Sequence, residues 1–204
     1  MKIEIRKATP KDRRFIALVM AEAIGDSIME RISKGISTAD MLRLTLLESV
    51  ATRTDTLYSW NNTIIAEGEN GEPLGALIAY PGKDYKKLRE TTFDLLKEII
   101  TFDITTMDDE TKPGEYYLDS LAVLPQFRNK GIGKSLLIKG IEKAKSLAMP
   151  CVLACDPENN IGKALYLRMG FRQDGEMFIF GKKYLKMTIG LQKENHKSEI
   201  SQTR

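Results

Sequence analysis

The chain has almost no histidine, little cysteine and no marked excess of charge. Of 204 residues one is His, one is Trp and two are Cys, and the formal net charge is +3. The lone histidine, His196, lies in a polar tail, which leaves a zinc site without a ligand set. Cys151 and Cys155 stand at i and i+4 in a predicted strand and so face the same way. The distance between their Cα atoms there exceeds disulfide reach. Core packing is the expected role of both, with a groove-lining position as the alternative for Cys155. Basic residues are scattered, so the chain has no nucleic-acid footprint. Its longest apolar runs fall far short of a membrane span. Met1-Lys2-Ile3-Glu4-Ile5 alternates like a strand and unlike a signal peptide, and a cytoplasmic protein is expected.

What is present suits one sizeable core. Residues 2–6 read as a strand. Thr9-Pro10-Lys11-Asp12 opens a helix with a capping-box-like pair, and Phe15, Ile16, Val19, Met20, Ala23 and Ile24 form its stripe. Gly25 or Gly35 ends it. A second helix starts near Thr38, with Met41, Leu42, Leu46, Leu47 and Val50 inward. Strands at 64–67 and 73–80 flank the turn Glu69-Asn70-Gly71-Glu72. A helix follows over 84–103, then a polar loop from Asp108 to Gly114. Residues 115–124 are strand and 132–147 helix, with Leu136, Leu137, Gly140, Ile141 and Ala144 at helical spacing. A buried strand at 152–155, a short helix at 158–169 and strands at 171–181 and 184–191 complete the order. Gly170 is placed to end the short helix. Residues 192–204 form a polar tail expected to be disordered, after a single domain at 1–191.

The densest chemical signal is Arg128-Asn129-Lys130-Gly131-Ile132-Gly133, at a strand-to-helix junction. Glycines there bring bare N–H groups close to a ligand, and the helix start offers orphan donors and a positive dipole end. Lys130 and Lys134 add charge. The spacing fits neither G-x-x-x-x-G-K-[ST] nor G-x-G-x-x-G. It fits Q/R-x-x-G-x-G/A. By itself that pattern is equally a tight structural turn.

A second run, Asn159-Asn160-Ile161-Gly162-Lys163-Ala164-Leu165-Tyr166-Leu167-Arg168-Met169-Gly170-Phe171, changes the balance. With Leu121-Ala122-Val123, Pro125 and the 128–133 turn, it resembles the GNAT acetyltransferase superfamily. The likeness is most specific over about 115–172. It implies an α/β fold with a mixed, mostly antiparallel central sheet flanked by helices, in which the fourth and fifth strands splay to admit acetyl-CoA. The segment at about 84–103 departs from that pattern as an insertion. Gly162 departs too, where the family often has alanine.

The resemblance implies roles residue by residue. Tyr166 is the expected general acid for the leaving thiolate, against a reading as a half-buried ring with a satisfied hydroxyl. Asp119 is the candidate base, with Tyr117 and Leu121 on the same face. It can equally attract a cationic amine or be a solvated strand-end acid. The backbone of Leu121 and Val123 would pair with the pantetheine arm, the Leu121 N–H also polarising the thioester. The N–H groups of Asn129, Gly131, Gly133 and Lys134 would hold pyrophosphate, Arg128 would add charge, and Asn159 would bond the pantetheine arm. No metal is expected. The implied activity is acetyl transfer from acetyl-CoA to a small-molecule or peptide amine, directly in a ternary complex. The rival is a non-catalytic acyl-CoA-binding sensor, with action on a protein N-terminus or lysine as a third option. Trp60 and Tyr58 can line an acceptor pocket or simply pack. Glu22, Asp26 and Glu30 can draw a cation or form a solvated face. The acceptor and the oligomeric state, a homodimer included, stay open.

Overall fold

The computed structural model describes residues 2–24, 41–97, 100 and 102–190. The positions Gly25, Asp26, Glu30, Gly35, Thr38 and the 192–204 tail lie outside them. Seven strands form one sheet: β1 (Glu4–Lys7), β2 (Thr63–Glu67), β3 (Pro73–Pro81), β4 (Tyr116–Val123), β5 (Cys151–Cys155), β6 (Arg172–Ile179) and β7 (Lys182–Ile189). Their order is β1-β2-β3-β4-β5-β7-β6. Every pairing is antiparallel except β4 with β5. This is the mixed, mostly antiparallel sheet expected.

Helices cover both faces. α1 (Arg13–Ile24), α2 (Met41–Thr52) and α3 (Tyr85–Leu96) lie on one; α4 (Ile132–Ser146) and α5 (Asn160–Arg168) lie on the other. α1 follows a single 3-10 turn at Pro10–Asp12, where the Asp12 carboxylate accepts from the Thr9 N–H at 2.7 Å and its hydroxyl at 2.9 Å. That is the cap the sequence implied. Phe15, Ile16, Val19 and Met20 of α1 and Leu47 and Val50 of α2 bury against Ile65, Ala76, Ile78 and Tyr80 of the sheet. Ile132, Leu136, Leu137, Ile141 and Ala144 of α4 bury against Leu77, Leu118 and Leu153. Periodicity of 3.6 and 2 thus meets across both interfaces.

The segment between β3 and β4 packs into the fold. Tyr85, Phe93 and Leu96 are buried, and the Thr92 hydroxyl accepts from the Leu57 N–H at 2.9 Å. Phe180, after β6, packs edge-on between Phe93 and Phe102, centroids 5.9 and 5.8 Å away. Asp108 and Phe178 of edge strand β6 exchange two bonds. The Asp108 N–H donates to the Phe178 carbonyl at 3.0 Å, and the Phe178 N–H to the Asp108 carboxylate at 2.7 Å. The segment therefore straps one half of the sheet to the other.

Gly140 sets how closely α4 approaches. A Cβ there would stand 2.8 Å from Leu77 Cδ2 and 2.9 Å from Leu118 Cδ2. Gly140→Val should cost about 1–3 kcal/mol through overpacking, read as a lower urea midpoint. An unchanged midpoint would mean that α4 does not pack this closely.

Candidate active site

The site begins where β4 and β5 part. Their ladder has three residue pairs and stops at Leu118↔Leu153. Beyond that, β4 stays on β3 as far as Gly75↔Val123, and β5 stays on β7 as far as Cys155↔Leu185. The two halves of the sheet each keep their own strand, and a groove opens between them.

Backbone polarity marks the groove edge. The Leu124 N–H donates to the Leu74 carbonyl at 2.9 Å, toward β3. Alternation then turns the peptide groups of Leu121 and Val123 to the opposite edge, where β5 has departed. The Val123 carbonyl is reached there by Arg128 Nε at 3.0 Å. Arg128 also pairs with Glu22 of α1. Arg128 and Glu22 are thus engaged with each other, so Glu22 is no free acid awaiting a cation.

At the far end of the groove lies the 128–133 turn. Asn129 (φ 62°) and Gly131 (φ 80°) are both left-handed, which turns successive N–H groups outward in the manner of an anion nest. The first α-helical bond of α4 runs from the Ser135 N–H to the Gly131 carbonyl at 3.0 Å, so the N–H groups of Ile132, Gly133 and Lys134 have no helical acceptor. A Cβ at Gly131 would meet nothing within 4 Å, so space lies above the turn. Lys130 folds back, its Nζ 5.4 Å from the Phe127 ring centroid.

Asn159 caps α5, its Oδ1 accepting from the Gly162 N–H at 2.8 Å. A Cβ at residue 162 would sit 2.7 Å from Asn159 Nδ2, so glycine gives that side chain its room. This is a local reason for the departure noted at Gly162. Gly170 (φ 92°) ends the helix and lets the Phe171 N–H reach the Tyr166 carbonyl at 3.0 Å. The two rings meet edge-on at 6.1 Å. Tyr166 is half-buried, and its hydroxyl has no hydrogen-bond partner among the described residues. Burial, and then the nearby Cys155, push its pKa up to about 12.

Asp119 sits one residue past the point of parting. Ile78 pairs with Ser120 and Ala79 with Leu118, so Asp119 is the extra residue of a β-bulge. The bulge corrects one expectation. Tyr117 and Asp119 do share a face, toward α1–α3, but Leu121 packs on the opposite, α4 face. Asp119 is also no solvated strand-end acid. It is half-buried, with the Tyr80 hydroxyl donating to one oxygen and the Ser120 hydroxyl to the other at 2.8 Å. Burial raises it to about 6, against the lowering effect of these two bonds.

A second acid stands beside it. Glu110, within the segment read as a polar loop, accepts from the Tyr117 hydroxyl at 2.7 Å and the Tyr85 hydroxyl at 3.1 Å. Burial first, and then the charge of Asp119, raise it to about 7. Tyr58 is buried beside both acids. Trp60 instead packs half-buried against the α1–α2 core. No sequence pattern flags Glu110; it follows an aspartate pair in a loop like any solvated acid. Cys155 is 2% exposed, its Sγ directed to the Asp156 carbonyl at 3.4 Å, and burial raises its thiol pKa.

The sequence matches the acetyltransferase (GNAT) family over residues 37–171. The chain belongs to the GNAT acetyltransferase family. Solved structures agree in fold. An N-acetyltransferase from Staphylococcus aureus Mu50 has a TM-score of 0.76 at 22% identity, covering 91% of this chain and all of that one (100%). A second acetyltransferase has a TM-score of 0.71 at 28% identity, covering 92% and 98%. The NatC complex bound to Gag peptide and CoA has a chain with a TM-score of 0.54 at 18% identity, covering 94% and 99%. No curated protein matches. Acyl transfer is the chemistry this GNAT membership indicates. Among the described residues no helix is long and apolar enough to cross a membrane, and no cluster of metal ligands occurs.

The acid cluster makes a prediction about stability. Both carboxylates have folded pKa values above their usual ones, so the native state binds protons more tightly than the unfolded chain. Their contribution is most favourable below pH 4 and is lost as pH rises through about 6 and 7. Glu110→Gln and Asp119→Asn should therefore raise the melting temperature at pH 8, with the gain shrinking toward pH 5. A variant that melts lower than wild type at pH 8 would contradict the burial of charge inferred here.

Proposed function

We propose that the protein is an acetyl-CoA-dependent N-acetyltransferase, moving acetyl directly to a primary amine in a ternary complex. The observation that carries this reading is the groove where β4 and β5 part. It has anion-binding N–H groups at one end and titratable groups on both faces at the other. Acetyl-CoA, the cosubstrate, would supply a thioester and a good thiolate leaving group.

The fit is physical. The N–H groups of Asn129, Gly131, Gly133 and Lys134 would take pyrophosphate, with the charge of Lys134 and Arg128 nearby. The outward peptide groups of Leu121 and Val123 would pair with the pantetheine arm as a missing strand would. For Val123 this requires Arg128 Nε to release the carbonyl it holds. The free amide nitrogen of Asn159 would contact the same arm.

At the reacting end, Asp119 would take a proton from the acceptor ammonium, leaving a neutral amine with a lone pair. Its raised pKa suits that task near neutral pH. The Leu121 N–H would polarise the thioester oxygen. Tyr166, on the α4–α5 face, would protonate the departing thiolate. Burial keeps its proton in place until the thiolate forms, and a hydroxyl without a partner among the described residues is free to donate. The second amine proton, lost as the amide forms, restores the tyrosine through solvent. Cys155 is buried with a raised pKa, which supports direct transfer over a covalent intermediate.

A sensor that binds acyl-CoA without turnover would use the same turn. Release of CoA thiol across a panel of amines separates the two readings, and no release with any amine would favour the sensor.

Gly133→Asp tests the turn with little structural cost. Gly133 has no left-handed constraint, and the nearest atom to an added Cβ is Val123 Cγ2 at 3.8 Å. An acid also suits a first helical turn. CoA affinity should fall about tenfold or more, the effect expected for like charge at a phosphate, with the melting temperature held. Titration calorimetry giving wild-type affinity would refute a pyrophosphate site here.

Tyr166→Phe keeps the ring contact with Phe171 and removes only the hydroxyl. The transfer step should slow by about a hundredfold or more, the lower range for a general acid, while CoA affinity stays at the wild-type value. Pre-steady-state acetyl transfer at an unchanged rate would make Tyr166 a packing residue.

A further inference from the structure

Glu110 has no part in the scheme above, yet residues from α3 and β4 hold both of its oxygens. Tyr117 and Tyr85 donate to it at 2.7 and 3.1 Å. No lysine or arginine among the described residues forms an ion pair with it. Arg89, whose charge acts to lower Glu110, bonds the Ile104 carbonyl at 2.9 Å and Asp109 at 3.4 Å, and stacks on the Tyr85 ring at 5.7 Å. The Tyr117 ring packs 5.9 Å from that of Tyr80, which donates to Asp119. Two tyrosines thus link the two carboxylates.

Tyr58 supplies an independent observation. It is 6% exposed, its hydroxyl has no hydrogen-bond partner among the described residues, and it feels the charge of both acids. A buried phenol without such a partner is uncommon, and a bound ligand would supply one.

We propose that Glu110 and Asp119 act as one acid pair that receives the acceptor as a primary ammonium ion and takes one proton from it, with the Tyr58 hydroxyl as the third acceptor. The identity of the incoming group rests on the N-acetyltransferase reading; the pairing of the acids does not. A primary ammonium has three N–H donors, and two carboxylates and a phenol oxygen are three acceptors. One N–H proton passes to the pair, which changes from two negative charges to one. The nitrogen keeps the electron pair and becomes the nucleophile. The pair returns the proton to solvent after the amide leaves.

Among the described residues, these groups face the pair. They are Tyr58 before β2, Tyr80 of β3, Tyr85 and Arg89 of α3, and Tyr117 and Ser120 of β4. The described side chains that α1 turns inward, among them Phe15, Ile16, Val19, Met20 and Ala21, are apolar. Hydroxyls dominate, and the charge of Asp119 is the main one acting on Glu110, so the two should titrate as a coupled system.

Side-chain 13C NMR of Asp and Glu carboxyls, titrated in the full-length protein without ligand, tests the pair. Wild type should give two linked steps. Glu110→Gln should lower the midpoint of Asp119, and Asp119→Asn that of Glu110, because each loses a like charge. Midpoints that stay at their wild-type values in both variants would overturn the proposal. In steady-state kinetics with the amine that gives fastest thiol release, Glu110→Gln should raise the amine KM about ten- to a hundredfold, as for a lost charged hydrogen bond, with the acetyl-CoA KM unchanged. An amine KM that does not move would also overturn it. Linked titration with no turnover on any amine would support the pair and sink the N-acetyltransferase reading, so the two failures are distinguishable.

Discussion

Three residue pairs between β4 and β5, and no more, are the constraint on which the site depends. A parallel pair inside a sheet normally continues until one strand ends. Here each strand is held more firmly by its antiparallel neighbour, β4 by β3 over its length and β5 by β7 over all five residues. The two antiparallel halves carry their own twist, and the parallel seam between them is short. The bulge at Asp119 falls just where the seam ends. It turns an acid to one face of the parting and leaves the outward peptide groups of Leu121 and Val123 along its edge. Groove, acid and backbone edge are thus consequences of one break in register.

A seam this short leaves the two halves needing another tie, and the segment between β3 and β4 provides it. Asp108 joins the β6 edge, Phe93 and Phe102 clamp Phe180, and buried Glu115 accepts from Lys186 of β7 at 3.0 Å. Glu110 lies between two of these anchors. Its place near Asp119 is set by contacts with both halves, so the segment that closes the fold also brings the second acid to the groove.

Much of this was legible in the sequence. Helical stripes such as Leu136, Leu137, Gly140 and Ile141 and the alternation of β7 report the core directly, because burial follows the period of the element. The 128–133 turn and Gly170 were legible because their chemistry is local: left-handed backbone at defined offsets needs glycine or asparagine. Leu121 lies on the face opposite to the one its spacing from Asp119 implies, since a bulge changes parity without altering the composition of its strand. Glu110 was unreadable for a different reason. Its environment is made by Tyr117 and Tyr85, distant or unremarkable in sequence, and a loop acid becomes a half-buried one only when the chain folds back on itself. The helix after β3 was visible as a helix, but the role of the β3–β4 segment as a strap was not, because the partners of its Asp108 and Glu115 on β6 and β7 are about 70 residues away.

The protein contains its own control for what these tyrosines do. Asp12 is also partly buried, which alone would raise its pKa, yet bonds from Arg6 and Thr9 outweigh burial and lower it. That acid is locked as an anion and serves a cap. Asp119 and Glu110 receive neutral hydroxyls instead. Hydroxyls satisfy the oxygens without supplying a compensating charge, so burial prevails and the acids move up toward neutrality. An arginine in place of Tyr80 or Tyr117, both 1% exposed, would hold the carboxylates as anions at the desolvation cost of a buried guanidinium, and leave them useless as proton acceptors for an ammonium ion. The choice of phenol over guanidinium is therefore what separates a structural acid from one able to exchange protons, and it is made from β3, β4 and α3 together.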